Sequence, residues 1–401
     1  MSGILWVKET GRIAVTLQRG GWFRESLVPV IEVATMYKLL RPFLFRMDAE
    51  RAHDVSLRAA ELAQSLTPRV VSSMYDFEDE RLKQRLLGKT FVNPVGLAAG
   101  ADKNARLVAF WESVGFGFIE VGSVTAKASA GNPQPRAFRL EDDDALVNRM
   151  GLNNEGAVAV AKRLAKAKRE TDRPLGINIA KTHSPDIMEE KAVEDFRQSY
   201  HLLAPHASYI ALNVSCPNTE EGKTFEAPDA LEALLRAIRG EQGAPERRKP
   251  IFLKLSPPSS DRVVFDSELE DLITIAEAFD VDGFIASNTA SDRNGLSASD
   301  QTVEKIGDGG MSGAPLHARS AQLVRYLYRA TGGEKLIIGV GGIHDVDTAY
   351  ETIRAGASLI QLYTGLVYEG PGLVKRIKQG LIDRLKRDGY STIQEAVGTD
   401  V

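Results

Sequence analysis

The chain is poor in several things at once. Its 401 residues include one cysteine, six histidines and three tryptophans. A single thiol excludes an intrachain disulfide framework and suits a reducing compartment. There is no Cys-x-x-Cys or His-Glu-x-x-His, and the histidines do not cluster at ligand spacing, so no metal site is expected. No apolar run reaches the ~18 residues of a membrane-spanning helix. Excess positive charge is lacking too. Fifty basic residues stand against 54 acidic ones, for a formal net charge of −4, and the pI is near 6.0. That balance argues against a nucleic-acid-binding surface.

What is present is a globular composition, 43% hydrophobic and 26% charged. The length suits one large barrel with an appendage, or two ordinary domains. Residues 1–30 mix Lys8, Arg12, Arg19 and Arg24 with Glu9 and Glu25, and Gly20-Gly21 interrupts any helix. They read as a loosely ordered tail. No long apolar core precedes a cleavage site, so a secretory signal is not supported, and the acids argue against a mitochondrial presequence.

Residues 31–67 differ. Val33, Met36, Tyr37, Leu39, Leu40, Phe43, Leu44 and Phe45 form an apolar segment interleaved with Lys38, Arg41 and Arg46. Pro42 is expected to prevent one uninterrupted helix. Asp48 then reads as an N-cap, and Ala52, Val55, Ala59, Leu62 and Leu66 recur at helical spacing. The pattern predicts a helical hairpin. It either packs wholly on the main domain or dips an uncovered apolar face into a membrane surface, with its basic residues at the headgroups.

After a polar stretch over 67–87, eight strand-like apolar runs occur at 94–99, 116–121, 175–179, 209–214, 251–255, 283–286, 336–340 and 359–363. Helical stretches lie between and after them, at 105–114, 155–166, 192–203, 230–238, 269–279, 319–330, 346–355 and 372–385. Near-continuous apolar strands imply a parallel sheet buried on both faces. Eight βα units favour a closed (β/α)8 TIM barrel over residues 68–391, with the N-terminal helical extension before it and a tail over 392–401. The first βα turn lacks Gly-x-Gly-x-x-Gly, which weakens a Rossmann alternative.

In such a barrel the chemistry sits at the carboxyl ends of the strands. Here those ends carry Ala99, Gly100 and Lys103; Ser123; Asn178 and Lys181; Asn213 to Thr219; Lys254; Ser287, Asn288 and Thr289; Gly341 and Gly342; and Tyr363 and Thr364. The fourth end is the most unusual, because two asparagines, Asn213 and Asn218, flank the lone thiol Cys216. An ordinary turn closed by Pro217 would explain it in isolation. Uniformly polar tips make a binding site the better reading. Gly341-Gly342, Gly365 and Gly313 supply backbone N–H groups where this fold often binds phosphate. Lys103, Lys181 and Lys254 would be costly in a barrel mouth unless facing an anionic substrate or a reduced cofactor ring. Near such cations, Cys216 could serve as a base or as a nucleophile.

The motifs resemble the dihydroorotate dehydrogenases. They include Arg51-Ala-His53, Asn93-Pro-Val-Gly-Leu-Ala-Ala-Gly-Ala-Asp-Lys103, Gly131-Asn-Pro-Gln-Pro-Arg-Ala-Phe-Arg-Leu140 and Asn148-Arg-Met-Gly-Leu-Asn-Asn154. They continue through Asn213–Thr219, Ser287-Asn-Thr289, Gly310-Met-Ser-Gly313, Ile338-Gly-Val-Gly-Gly342 and Gln361-Leu-Tyr-Thr364. The resemblance implies FMN contacts from Ala99, Gly100, Ser123, Asn178, Asn213, Lys254, Ser287, Gly313, Gly342, Tyr363 and Thr364. It implies that Lys103, Asn148 to Leu152 (Arg149, Met150 and Gly151 between them), Asn213, Asn218, Asn288 and Thr289 hold dihydroorotate or orotate. Cys216 would take the C5 proton while C6 delivers hydride to the flavin.

The extension over 31–67, with His53 and the segment bearing Arg136 and Arg139, resembles the membrane-associated class 2 enzymes. That implies a quinone acceptor and a peripheral site on a bacterial cytoplasmic membrane rather than a mitochondrial one. Against it, class 2 enzymes usually carry serine where this chain has Cys216, as the soluble class 1 enzymes with fumarate or NAD as acceptor do not. The loop Glu220-Glu-Gly-Lys-Thr-Phe225 also lacks the usual Gly-Leu-Arg. A flavin-dependent tRNA uracil reductase would need a basic RNA face, and a non-catalytic scaffold would need no flavin.

Overall fold

The computed structural model describes residues 4–8, 12–19, 22–29, 33–66, 68–75, 77–167, 173–215, 225–242, 248–259 and 267–401. Its centre is a closed barrel of eight parallel strands. These are β1 (Val95–Leu97), β2 (Phe118–Val124), β3 (Leu175–Ile179) and β4 (Tyr209–Asn213), then β5 (Ile251–Leu255), β6 (Gly283–Ala286), β7 (Leu336–Val340) and β8 (Leu359–Leu362). Each pairs with the next in chain order, and β8 closes on β1. The (β/α)8 expectation holds, with every strand where the apolar runs placed it.

Side chains alternate between the barrel interior and the helix layer, so each strand contributes every second residue to the inside. The lower interior is apolar and aromatic: Phe118, Tyr209, Phe252, Ile285, Ile338 and Leu359 pack together, with Phe91 set edge-on to Phe118. Gly176 makes room for this layer, since a Cβ there would lie 2.2 Å from the Tyr209 ring. Leu86 and Leu87, from the hairpin Gln84–Leu86/Lys89–Phe91, close this end. Further along the strands the interior turns polar, with Glu120, Asn178, Asn213, Lys254, Ser287 and Gln361, all buried.

Two excursions cover the carboxyl end. After β2, strand Ala145–Asn148 pairs antiparallel with Ala137–Leu140 on one side and with Gly310–Gly313, after β6, on the other. This small sheet was not anticipated, because its strands are only four residues long and one of them comes from a distant part of the chain. Its apolar face gathers Leu140, Ala145, Val147, Ala290, Met311 and Leu316.

Ahead of the barrel stand α1 (Val33–Phe45), α2 (Ala49–Leu66) and α3 (Pro68–Tyr75). Asp48 caps α2 as expected, its Oδ1 accepting from the N–H groups of Glu50 and Arg51 at 3.0 and 3.1 Å. Pro42 does not end α1. The carbonyl it deprives of a helical partner belongs to Lys38, which is exposed, so water can serve there. Helix α3 falls in the stretch read as polar and buries Val71 and Tyr75. The tail expected over 1–30 instead contains a three-stranded antiparallel sheet, Ile4–Lys8, Arg12–Arg19 and Trp22–Pro29. The physical signal was available: β-branched and aromatic residues flank Gly20-Gly21, a two-residue spacing typical of hairpins. The C-terminal tail is likewise ordered, with Ile393 and Ala396 fully buried. No helix of the described residues is long and apolar enough to cross a membrane.

Candidate active site

One cavity of about 820 Å³ joins the polar strand ends to the helical extension. Its floor is formed by Ser123, Asn213, Lys254, Ser287 and Asn288, and its upper walls by apolar side chains of α1 and α2 such as Leu40, Phe43, Leu44 and Ala60. His53 and Tyr363 stand at the junction, their ring centroids 6.3 Å apart.

The floor is a chain of hydrogen bonds. Asn288 Nδ2 donates to Asn213 Oδ1 at 3.1 Å, and Asn213 Nδ2 donates to Ser123 Oγ at 3.0 Å. The Ser123 hydroxyl donates to Asn178 Oδ1 at 2.5 Å, and Asn178 Nδ2 donates to Glu120 at 3.1 Å. Asn288 also donates to the carbonyl and hydroxyl of Ser215, which in turn donates to the Lys254 carbonyl. Strand alternation explains the grouping, since these residues come from the inward-facing positions of β2 to β6 or lie just past the strand ends.

Among residues expected to hold the substrate, Lys103, Asn148, Met150, Leu152, Asn213, Asn288 and Thr289 line the cavity. Lys103 Nζ donates to Asn153 Oδ1, a residue the motifs contain but sequence reasoning did not single out. Arg149 lies elsewhere, donating to the carbonyls of Ile306 and Asp308 with its guanidinium over Phe138. Gly151 supports rather than lines: a Cβ there would be 2.5 Å from the Asn132 nitrogen. Cys216 and Asn218 lie outside the described residues.

Among residues expected to hold FMN, Ala99, Gly100, Ser123, Asn213, Lys254, Ser287, Gly313, Gly342, Tyr363 and Thr364 line the cavity. Asn178 is fully buried behind Ser123 and reaches the site only through it. Lys181, weighed as a third lysine in the mouth, is not in the lining. Its ammonium donates to the Ile187 carbonyl at 3.0 Å. Gly313 has φ +107°, and a Cβ there would sit 2.2 Å from the Asp144 carbonyl, so only glycine lets the two covering strands approach. Thr364 donates to Ser312 at 2.9 Å, another lining residue missed in the sequence.

Burial and neighbouring charge set the protonation states. Burial lowers the His53 pKa, and Lys103 lowers it further. Burial, reinforced by Glu50, pushes the Tyr363 hydroxyl up to about 12. Hydrogen bonds from Arg136 hold the Glu50 carboxyl below its usual range. Burial also keeps the Tyr209 hydroxyl protonated far above its usual range, and the adjacent Glu120 adds to this.

The residues present fit a flavin mononucleotide. A flat ring with several acceptors and an N–H suits a floor of amides, hydroxyls and one buried ammonium, Lys254. Gln361 Oε1 and Thr289 Oγ1, both in cavity-lining residues, are buried without a partner among the described residues. The backbones of Gly313, Gly342 and Thr364 gather at one end of the cavity, where a phosphate could take their N–H groups.

Comparison with known proteins places the chain. A family model described as dihydroorotate dehydrogenase matches residues 81–385. A protein of Roseiflexus sp. strain RS-1 named dihydroorotate dehydrogenase (quinone) is 43% identical over 371 residues, covering 92% of this chain and 99% of that one. A protein of the same name from Natronomonas pharaonis is 43% identical over 368 residues, covering 91% and 99%. A crystal structure of DHODH from Eimeria tenella in complex with ferulenol superposes with a TM-score of 0.78 at 32% identity, covering 89% of this chain and 98% of that one. With this density of likeness along nearly its whole length, the chain belongs to the dihydroorotate dehydrogenase family, on its class 2 branch.

Proposed function

We propose that the protein oxidises (S)-dihydroorotate to orotate in pyrimidine synthesis, using FMN and passing the electrons to a membrane quinone. The observation that carries this reading is one continuous cavity, polar and amide-lined at the strand ends and apolar between the helices. A planar, hydrogen-bonding substrate suits the first region and an isoprenoid-tailed acceptor the second.

Lys103 meets the substrate carboxylate, and Asn148, Asn213, Asn218, Asn288 and Thr289 meet its ring carbonyls and N–H groups. Cys216, as the thiolate, takes the C5 proton, and the C5–H electron pair becomes the new C5–C6 double bond. FMN, when bound, supplies the two-electron acceptor for the hydride leaving C6. Lys254 places positive charge beside the ring that receives those electrons. His53 and Tyr363 sit between the two regions of the cavity, where the acceptor head must approach.

Five large side chains of α1 and α2 are more than half exposed, Leu39 at 64%, Leu40 at 55%, Phe43 at 66%, Leu62 at 59% and Leu66 at 71%. They support seating of the hairpin on a membrane surface, with Lys38, Arg41 and Arg46 at the headgroups. Cys216 is the feature that favours the class 1 acceptors instead. Anaerobic reduction by dihydroorotate, followed by mixing with a quinone analogue, fumarate or NAD, decides. Fast reoxidation by the quinone alone is expected, and reoxidation by fumarate or NAD alone overturns the assignment.

A further inference from the structure

Behind the site floor lies a negative charge that no cation answers. Glu120 is fully buried, and its carboxylate accepts from the Tyr209 hydroxyl and the Gln361 amide, each at 2.8 Å, and from the Asn178 amide at 3.1 Å. Three donors on two oxygens suit an ionised carboxyl, which offers only acceptors. All three donors are neutral, and among the described residues Glu120 takes part in no ion pair. Glu50, also buried, instead faces the guanidinium of Arg136. Buried charges are usually paired, so an unpaired one is informative.

Glu120 does not line the cavity, but Gln361, which bonds it directly, does. Asn178 links it a second time, through the Ser123 hydroxyl, to the floor. Neutral donors stabilise a charge without cancelling it, so its field reaches the cavity. Lys254, buried in the same polar region, lines the cavity with the opposite sign. A hydride delivered to a neutral flavin brings two electrons and one proton, so the ring gains one negative charge. Lys254 favours that charge, and Glu120 opposes it. We propose that Glu120 tunes the reduction potential of the flavin, its unpaired charge offsetting Lys254 so that electrons taken from the substrate are passed on rather than held. It acts through its field alone and touches no reacting atom.

This role rests on the FMN reading, and the experiment separates the two. The potential of the bound flavin is measured by equilibrium reduction against a reference dye in FMN-loaded protein. Glu120→Gln keeps the shape and removes the charge. At an effective dielectric of about 20, a unit charge roughly 10 Å away changes such an equilibrium by about tenfold. The reduced-to-oxidised ratio should rise by that factor, an upward shift of about 30 mV for a two-electron couple. By the same cycle, oxidised FMN should bind both proteins alike and reduced FMN should bind the variant about tenfold more tightly. Tyr209→Phe keeps the carboxylate and strips one donor from it, so the potential should fall. A purely structural role predicts no such pair of opposite signs. A potential that stays or falls in Glu120→Gln overturns the role, as does one that rises in Tyr209→Phe. If Glu120→Gln does not fold, the fall in Tyr209→Phe carries the test, and its absence overturns the role. Wild-type protein that takes up no FMN overturns the cofactor reading instead.

Discussion

Arg136 donates to both carboxylate oxygens of Glu50, through Nε at 3.1 and 3.0 Å and through Nη2 at 2.7 Å, with each side chain only 9% exposed. The remaining nitrogen, Nη1, donates to the carbonyls of Ala130 and Asn132 at 2.7 and 2.8 Å. One guanidinium thus ties α2 to the loop whose Gly131 packs against the Met150 carbonyl at the substrate end of the cavity. Removing one partner from such a buried pair leaves an uncompensated charge and typically costs about 3–5 kcal/mol. Glu50→Gln should therefore loosen the helical hairpin far more than the barrel. Hydrogen exchange over 33–75 should accelerate in the variant while β3 to β8 keep their protection. Equal exchange in both proteins would contradict the assignment.

The same region should respond to acid, and the sign can be derived. Glu50 has a folded pKa below its unfolded value, so its contribution is present above the unfolded value and fades as pH falls through the folded one. His53 is also held below its ordinary value, by burial and by Lys103, so the unfolded state takes up its proton first, near pH 6.5. Both effects make hairpin stability fall as pH falls. Loosening of 33–75 should begin below about pH 6.5. His53→Gln should delay it to the carboxylate range. Hydrogen exchange at a series of pH values measures both, and protection that rises toward acid would refute the scheme.

Leu39, Leu62 and Leu66 are exposed and do not line the cavity, which separates membrane seating from chemistry. Burying each leucine in lipid is worth roughly 1.5–3 kcal/mol, so replacing all three by glutamate should weaken vesicle binding by several orders of magnitude. Anaerobic flavin reduction by dihydroorotate should be unchanged. Sedimentation with vesicles and stopped-flow absorbance read the two effects independently. A parallel loss of both would show that these leucines support the fold instead.

Lys103 offers a simpler measurement. A hydrogen bond to a charged group contributes about 1.5–3 kcal/mol. If Lys103 meets the substrate carboxylate, Lys103→Met should raise KM for dihydroorotate roughly ten- to a hundredfold. FMN content should be retained, because the neighbours of Lys103 include Asn153 at the substrate end. Steady-state kinetics and the flavin absorbance per protein check the split.

The barrel was legible because its signal is redundant. Eight apolar runs alternate with eight helical stretches, and an error in one would have left the others standing. The strand-end residues followed from the fold, since alternation sends every second residue inward. Glu120 and Gln361 were not singled out, although they sit on the same strands. A lone acid inside an apolar run looks like an interruption until tertiary structure brings Tyr209, Asn178 and Gln361 around it. Arg149 was included with its motif and Lys181 as a lysine at a strand end, yet a side chain's direction depends on which carbonyl it can reach. The covering sheet was missed for a related reason: short strands such as Ala137–Leu140 are stabilised by partners distant in the chain.

Cys216 is the residue at which sequence and class disagree, and its chemistry gives the sharpest test. A thiol ionises near pH 8.5 in water, and lower beside cations, whereas a serine hydroxyl ionises far above the neutral range. A thiolate base is therefore populated at pH values where a serine must be activated by its surroundings. Flavin reduction should remain fast at lower pH in this protein than after Cys216→Ser. The variant's rate should be reduced near neutrality and should climb to a plateau only at more alkaline pH. Single-turnover reduction by dihydroorotate across the pH range, followed by flavin absorbance, distinguishes the cases. Coincident profiles for the two proteins would mean that the group at position 216 is not the one that receives the C5 proton.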